Sequence, residues 1–133
     1  MMPGLKAISP ASLAAPLRRY STAIEVPAGA RYLFVSGQVG LDEHDKVPES
    51  AETQAEICFE KIRVILAEAG MDFSNIIRLG AFVTDREYRE DYMRVRDKHV
   101  SDPPPTSTLF VITGFSRPLL KMEIECVAAK VDA

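Results

Sequence analysis

Two predicted strands of this chain carry apolar side chains on both faces, and this feature limits its possible folds more than any other. The strands cover residues 31–36 and 76–83. In the first strand, Tyr32 and Phe34 point to one side and the apolar residues between them point to the other. A strand of this kind needs cover on both faces, from helices or from a partner subunit.

Two amphipathic helices are predicted to supply cover. Ser50 is a suitable N-cap for the first helix, and Gly70 is placed to end it in a left-handed conformation. The second helix is predicted to begin with a capping box, in which Thr84 is followed three residues later by Glu87. Prolines at 103–105 end it. The apolar stripes of the two helices are Ala55, Cys58, Ile62, Ile65 and Ala69, and Tyr88, Tyr92, Val95 and His99.

The remaining segments complete an α+β pattern. Residues 20–26 are predicted to form a hairpin with residues 31–36, and two strands are predicted over 107–112 and 120–128. The order is therefore strand, strand, helix, strand, helix, strand, strand. Because two helices cover only one face of such a sheet, the other face is expected to be buried by oligomerisation.

Composition and charge narrow the class of protein. The length of 133 residues fits one domain over 1–133. A net charge of −3 disfavours sequence-independent nucleic-acid binding, and no apolar run is long enough for a membrane span. The N-terminus lacks the pattern of a secretion signal. Two distant cysteines without a CxxC motif fit a reducing cytosol, so a cytoplasmic location is expected.

The common catalytic motifs are absent from the sequence, and the isolated reactive residues are better explained structurally. His44 lies among acidic residues that favour a solvated loop over a metal site. His99, on the apolar side of its helix, is more typical of a packed histidine than of a base. Cys58 and Cys126 are expected in the core. No metal and no cofactor is expected.

Several segments nevertheless form a recognisable series along the chain. They are Tyr20-Ser21, Phe34-Val35-Ser36-Gly37-Gln38-Val39-Gly40, Gln54 with the helix ending at Ala69-Gly70, Phe82-Val83-Thr84-Asp85, and the stretch from Pro104 to Glu125. In this order they resemble the RidA/YjgF family of reactive intermediate deaminases, also labelled endoribonuclease L-PSP. The resemblance extends from about Tyr20 to Ala129 and depends on co-occurring motifs, because no single motif is specific.

The resemblance implies a chorismate-mutase-like α+β fold, with a β-sheet covered on one face by two helices. It also implies a homotrimer with ligand clefts between subunits. Among the residues that match the family's site, Tyr20, Ser36 and Gly37 are expected to bind a ligand, and Glu123 on the last strand is expected to be catalytic. The remaining alternatives for these residues are hairpin packing for Tyr20, a β-bulge at Ser36-Gly37 and a solvated or interface carboxylate for Glu123.

The sequence departs from the family where the deaminating members bind the substrate carboxylate. Their arginine is replaced by Thr106, whose hydroxyl offers one donor and no charge. The alternative for Thr106 is purely structural, because a β-branched residue favours the start of a strand without any ligand. An asparagine of many members is aligned with Met93. Thr106 and Met93 are both expected to contact the ligand. Arg78, Arg117 or Arg31 could supply a cation from another direction.

We therefore expect a trimer that binds a small metabolite between its subunits. If the protein is an enzyme, it is expected to hydrolyse or tautomerise an imine- or enamine-like substrate that lacks an essential carboxylate, with Glu123 acting on water or a proton. Two alternatives stay open: a true imine deaminase with a relocated cation, and a ligand-binding or chaperone-like protein without turnover. Nucleic acid and membranes are not expected partners.

Overall fold

The computed structural model describes residues 4–132. Within them, a four-stranded sheet is covered on one face by two helices, with a small two-stranded sheet beside it. The elements are β1 (Lys6–Ile8), β2 (Ala23–Glu25), β3 (Arg31–Val39), α1 (Ala51–Glu68), β4 (Ile76–Val83), α2 (Arg89–His99), β5 (Thr106–Val111) and β6 (Met122–Lys130). The predicted α+β class and the two-helix cover on one face are confirmed.

The main sheet has the strand order β3-β6-β4-β5. The strand β6 pairs antiparallel with both of its neighbours, whereas β4 and β5 run parallel. Parallel strands need a crossover connection, and α2 provides it. The two edge strands, β3 and β5, carry the motif segments singled out in the sequence.

The predicted hairpin between residues 20–26 and 31–36 is wrong. The strand β2 is shorter than predicted and pairs antiparallel with β1, so that Ala7 lies opposite Ile24. One edge of β3 pairs instead with β6, because two nine-residue strands offer a far longer ladder of backbone hydrogen bonds than the three residues of β2 do.

The first helix begins and ends as predicted, whereas the second helix begins later than predicted. The Ser50 side chain accepts a hydrogen bond from Thr53 N at 3.2 Å, and Gly70 has a φ of +70°. Asp85, rather than Thr84, caps a 3-10 turn by accepting from the backbone N–H of Glu87. The Asp85 carboxylate satisfies that amide two residues further on, as in an Asx turn, and α2 follows the turn. No helix within residues 4–132 is long and apolar enough to cross a membrane.

The two faces of the sheet differ sharply. On β6, Met122, Ile124 and Cys126 point into the core below the helices and are almost fully buried. The opposite face, which we call the open face, is not covered within the described chain. Its apolar side chains include Tyr32, Phe34 and Phe110, which are 53%, 77% and 53% exposed.

Candidate functional site

The open face holds a carboxylate at the place where β3 changes register. The pairing of β3 with β6 shifts between Val35 and Gln38, which forms the bulge considered for Ser36-Gly37. Glu123 lies across Gly37 so closely that a Cβ atom at this glycine would overlap the carboxylate oxygen Oε1. Glycine suits this position because the Glu123 side chain occupies the space that a Cβ atom would need. The bulge therefore creates the space that the Glu123 side chain occupies.

A second group of predicted residues meets at the start of β5. The backbone N–H of Ser21 donates to Pro105 O at 2.9 Å, and its hydroxyl donates to Pro104 O. These bonds attach the Tyr20-Ser21 segment to the residues that precede Thr106. Tyr20 itself is half-buried and lines a cavity of about 210 Å³ together with Pro103.

The side chain of Thr106 has already used its only hydrogen-bond donor. Its hydroxyl donates to Ile77 O on the neighbouring strand at 2.8 Å. A hydroxyl has one hydrogen to donate, so in this state the Thr106 hydroxyl can only accept a hydrogen bond from a ligand. This behaviour contrasts with that of the arginine which the family resemblance places here.

The two groups are too far apart to contact one small molecule within a single chain. Glu123 is paired with Phe82 on β4, and Thr106 is paired with Arg78, four residues earlier on the same strand. With about 3.3 Å per residue and about 4.8 Å between strands, the two Cα atoms are about 16 Å apart. The Ser36-Gly37-Glu123 group and the Tyr20-Thr106 group therefore form two half-sites.

Met93 belongs to neither half-site. It lies on α2, half-buried against the hydrophobic core. This position is on the covered side of the sheet, so within one chain Met93 does not share the open face with Glu123.

The three arginines considered as substitute cations differ in how fully their hydrogen-bond donors are used. Arg31 donates to Asp132 Oδ2 and Ala69 O at 2.7 and 2.9 Å. Arg117 donates to Asp45 through two nitrogens. Arg78 has one contact, from Nη1 to Glu125 Oε2 at 3.3 Å.

The sequence did not identify the pairing of Arg78 with Glu125. Both side chains lie on the open face at Gly80, where an added Cβ would be 2.8 Å from Arg78 Nη1 and 2.9 Å from Glu125 Cγ. The alternation of Glu123 and Glu125 along the last strand was a signal for two carboxylates on one face. The partner depends on the register between β4 and β6, which the sequence pattern does not give.

The cysteines lie on the covered side of the sheet, and the histidines lie away from both half-sites. Burial raises the pKa of the Cys58 thiol and of the Cys126 thiol to about 12, so neither is a ready nucleophile. His99 is half-buried and its ring stacks at 5.2 Å from that of Phe59, which confirms a packed histidine. His44 is exposed beside Glu43. Within residues 4–132, no group of three or more His, Cys, Asp or Glu side chains could hold a metal ion.

A cavity of the covered side contains none of the predicted site residues. It has a volume of about 530 Å³ and lies between α1 and the loop after β3. Two of its carboxylates, Glu56 and Glu60, are paired with Lys98 and Arg63. It therefore offers mainly apolar space, in which these two carboxylates already have partners.

Comparison with known proteins gives consistent matches. Residues 11–130 match the model of a family described as endoribonuclease L-PSP. A RutC family protein of Aquifex aeolicus (strain VF5) is 36% identical over 124 residues, which cover 86% of this chain and 91% of that protein. The putative reactive intermediate deaminase TdcF of Escherichia coli (strain K12) is 27% identical over 103 residues, covering 74% and 78%.

Solved structures share the fold. The crystal structure of RidA from the Antarctic bacterium Psychrobacter sp. PAMC 21119 superimposes with a TM-score of 0.69 at 25% identity, covering 92% of this chain and 98% of that one. The crystal structure of E. coli TdcF with bound serine gives a TM-score of 0.66 at 24% identity, covering 94% and 98%.

Proposed function

Because this chain belongs to the endoribonuclease L-PSP family, also known as the RidA/YjgF family, we propose that it binds a small imine- or enamine-like metabolite and hydrolyses or tautomerises it. The name of the related TdcF, a putative reactive intermediate deaminase, supports this class of substrate. The binding site lies in clefts between the subunits of a homotrimer.

The observation that supports the proposal is that the Glu123 carboxylate has no partner among the described residues. Its carboxylate is half-buried on the open face and makes no hydrogen bond or ion pair with any described residue, whereas Glu125, two residues along the same face, is paired with Arg78. An unpaired carboxylate is costly once it is desolvated. A substrate that carries a protonated imine nitrogen, or a water molecule held for attack, would provide the missing partner.

The chemistry needs one group that can accept and return a proton. With a protonated imine, Glu123 would take a proton from water as the water oxygen bonds to the imine carbon and the C=N π electrons move to nitrogen, giving a neutral carbinolamine. It would return that proton to the nitrogen and take the hydroxyl proton as the C–N bond breaks and the C=O bond forms. Ammonia then leaves with this proton as ammonium, so that water and protonated imine yield a carbonyl compound and ammonium. In a tautomerisation the same carboxylate would move a proton between carbon and nitrogen. Thr106 carries no charge, so a substrate carboxylate is not essential to either reaction.

The separation of the half-sites supports a cleft between subunits. A small ligand that contacts Glu123 and Thr106 together must take them from different copies, because they are about 16 Å apart within one chain. The exposed aromatic side chains of the open face, including Phe34, provide the apolar surface that association would bury.

RNA cleavage, which the family's older label suggests, receives no support from the site. The chain has two histidines, and they lie in the loop after β3 and on α2, away from the open face. Two alternatives remain. One is a true imine deaminase with a relocated cation, and the other is a ligand-binding or chaperone-like protein without turnover, which would need the same cleft and no proton transfer at Glu123.

The test is ammonia release from imines generated in the assay. An amine oxidase acting on benzylamine supplies an imine without a carboxylate, and the protein should accelerate ammonia release from it above the uncatalysed rate. Glu123→Gln should reduce this acceleration by about a hundredfold, since general acid–base catalysis contributes roughly 10²–10⁴-fold. Glu68→Gln, which changes an exposed carboxylate on α1, is the matched control and should behave as the wild type.

Two results would contradict the proposal. If the wild-type protein does not accelerate ammonia release, or if Glu123→Gln is as active as the wild type, the proposed chemistry is wrong. Light scattering tests the cleft independently: a monomer at micromolar concentration would exclude a site shared between subunits.

A further inference from the structure

We infer that Arg78 recognises an anionic group of the ligand and that Glu125 competes with the ligand for it. This inference rests on the proposed function, because it assigns the substrate class of the same cleft. The resulting site prefers carboxylate-bearing ligands without requiring the carboxylate.

The position of Arg78 relative to Thr106 supports this role. The two residues are direct partners in the parallel pairing of β4 and β5, and their side chains therefore leave the same face of the sheet about 5 Å apart. The Arg78 side chain thus starts beside Thr106, whose hydroxyl has no hydrogen left for a ligand. Its guanidinium extends along β4 to Gly80, towards Glu125 on β6.

The Arg78–Glu125 contact leaves the guanidinium available. It is a single contact at 3.3 Å, and the two side chains are 40% and 38% exposed. A guanidinium carries five N–H donors in a planar fork and binds a carboxylate best through two of them. Among the described residues, Arg78 makes no other hydrogen bond, so a ligand carboxylate can gain a two-point contact.

Gly80 keeps this arrangement open. The pair lies directly over this glycine, since an added Cβ would come within 2.9 Å of both side chains. Glu125 and Arg78 therefore meet in the space that a side chain at residue 80 would occupy. The result is a cation with a weak internal partner, and an anionic ligand must displace that partner to bind. Because Glu125 competes with the ligand for Arg78, the preference for carboxylate-bearing ligands should be modest.

Pyruvate and its uncharged amide, pyruvamide, are suitable probes, because they share a planar carbonyl carbon and differ in charge. Isothermal titration calorimetry on the full-length protein should give a Kd about tenfold lower for pyruvate. Arg78→Gln should bring the two Kd values within about twofold of each other by weakening pyruvate binding. Arg63→Gln, which removes one exposed positive charge from α1, is the control for net charge and should keep the tenfold ratio.

A second variant tests the competition without removing the cation. Glu125→Gln keeps the size of the side chain and removes its charge, and it should lower the Kd for pyruvate about threefold to tenfold with little change for pyruvamide. An unchanged ratio in Arg78→Gln, or weaker pyruvate binding in Glu125→Gln, would overturn the inference.

The two proposals can fail separately. If benzylamine-derived imine is hydrolysed in a Glu123-dependent way but the pyruvate preference does not depend on Arg78, only the present inference is wrong. If no imine is turned over but pyruvate binding follows Arg78 and Glu125 as described, the cleft binds anions and the proposed chemistry is wrong. Light scattering and circular dichroism on each variant confirm that assembly and fold are retained.

Discussion

The two faces of β6 show how one strand can serve stability and chemistry separately. On the covered face, Ile124 is fully buried beneath the helices. On the open face, Glu123 and Glu125 lie beside glycines of the neighbouring strands. Alternation along a strand places successive side chains on opposite faces. Substitutions on the covered face of β6 should therefore change stability, and substitutions at the adjacent positions, on the open face, should change the proposed chemistry.

The largest expected effect is the loss of core packing on the covered face. Ile124→Ala should lower the free energy of unfolding by about 2–5 kcal/mol, because it removes buried methylene groups and leaves a cavity. Urea unfolding followed by circular dichroism measures the change. Phe34→Ala on the open face is the comparison, and its effect should depend on protein concentration because the proposed association would bury this side chain. If the two variants lost the same unfolding free energy, and neither loss depended on protein concentration, the proposed difference between the covered and open faces would be contradicted.

The second prediction separates the two glycines at the end of β3. Gly37→Ala should reduce imine turnover by about tenfold to a hundredfold, because the added methyl group displaces the Glu123 carboxylate. The displaced atoms are the far end of a side chain, so the unfolding free energy should change by less than about 1 kcal/mol.

Gly40→Ala is the matched variant on the covered side. Its Cβ would lie 2.8 Å from the Cα atom of Gln54 on α1, and a helix backbone cannot move aside as a carboxylate can. Gly40→Ala should therefore lower stability by about 1–3 kcal/mol through overpacking. The comparison fails if Gly37→Ala unfolds the protein or if Gly40→Ala is harmless.

The sequence predicted the covered face better than the open one. The helical stripe through Cys58 and Ile62 and the alternation of β6 follow from local periodicity, and both were confirmed. The hairpin to residues 20–26 was wrong, because pairing between strands far apart in sequence is decided by the whole sheet. For the same reason, the overlap of Gly37 with Glu123 and the pairing of Arg78 with Glu125 depend on a bulge and a register that no local pattern contains.

The third prediction adds a cation to the Thr106 half-site. Thr106→Arg should raise turnover of carboxylate-bearing imines, generated by an amino-acid oxidase, by about tenfold, since a charge-assisted interaction contributes roughly 1.5–3 kcal/mol. Part of that gain is lost with the hydrogen bond to Ile77 O and through repulsion by the nearby Arg78. Thr108→Arg, two residues further along the same face, is the positional control and should give no gain.

Two further measurements decide what the gain means. Combining Thr106→Arg with Glu123→Gln should abolish it, because proton transfer is then missing. The prediction is contradicted if the wild-type protein already hydrolyses carboxylate-bearing imines as fast as Thr106→Arg does. It also fails if Thr106→Arg binds pyruvate more tightly and releases no more ammonia.

The smallest expected effect concerns the thiols of the covered face. Burial raises the pKa of Cys126 from 9.0 to about 12 in the folded protein. Above pH 9 the unfolded chain loses this proton while the folded chain keeps it, so stability falls as the pH rises from about 9 towards 12. Between pH 8 and pH 10 the loss should be about 1 kcal/mol for this thiol. Cys126→Ala should show a shallower decline in unfolding free energy over this range, and identical slopes for the two proteins would show that the Cys126 thiol is not protected by the core.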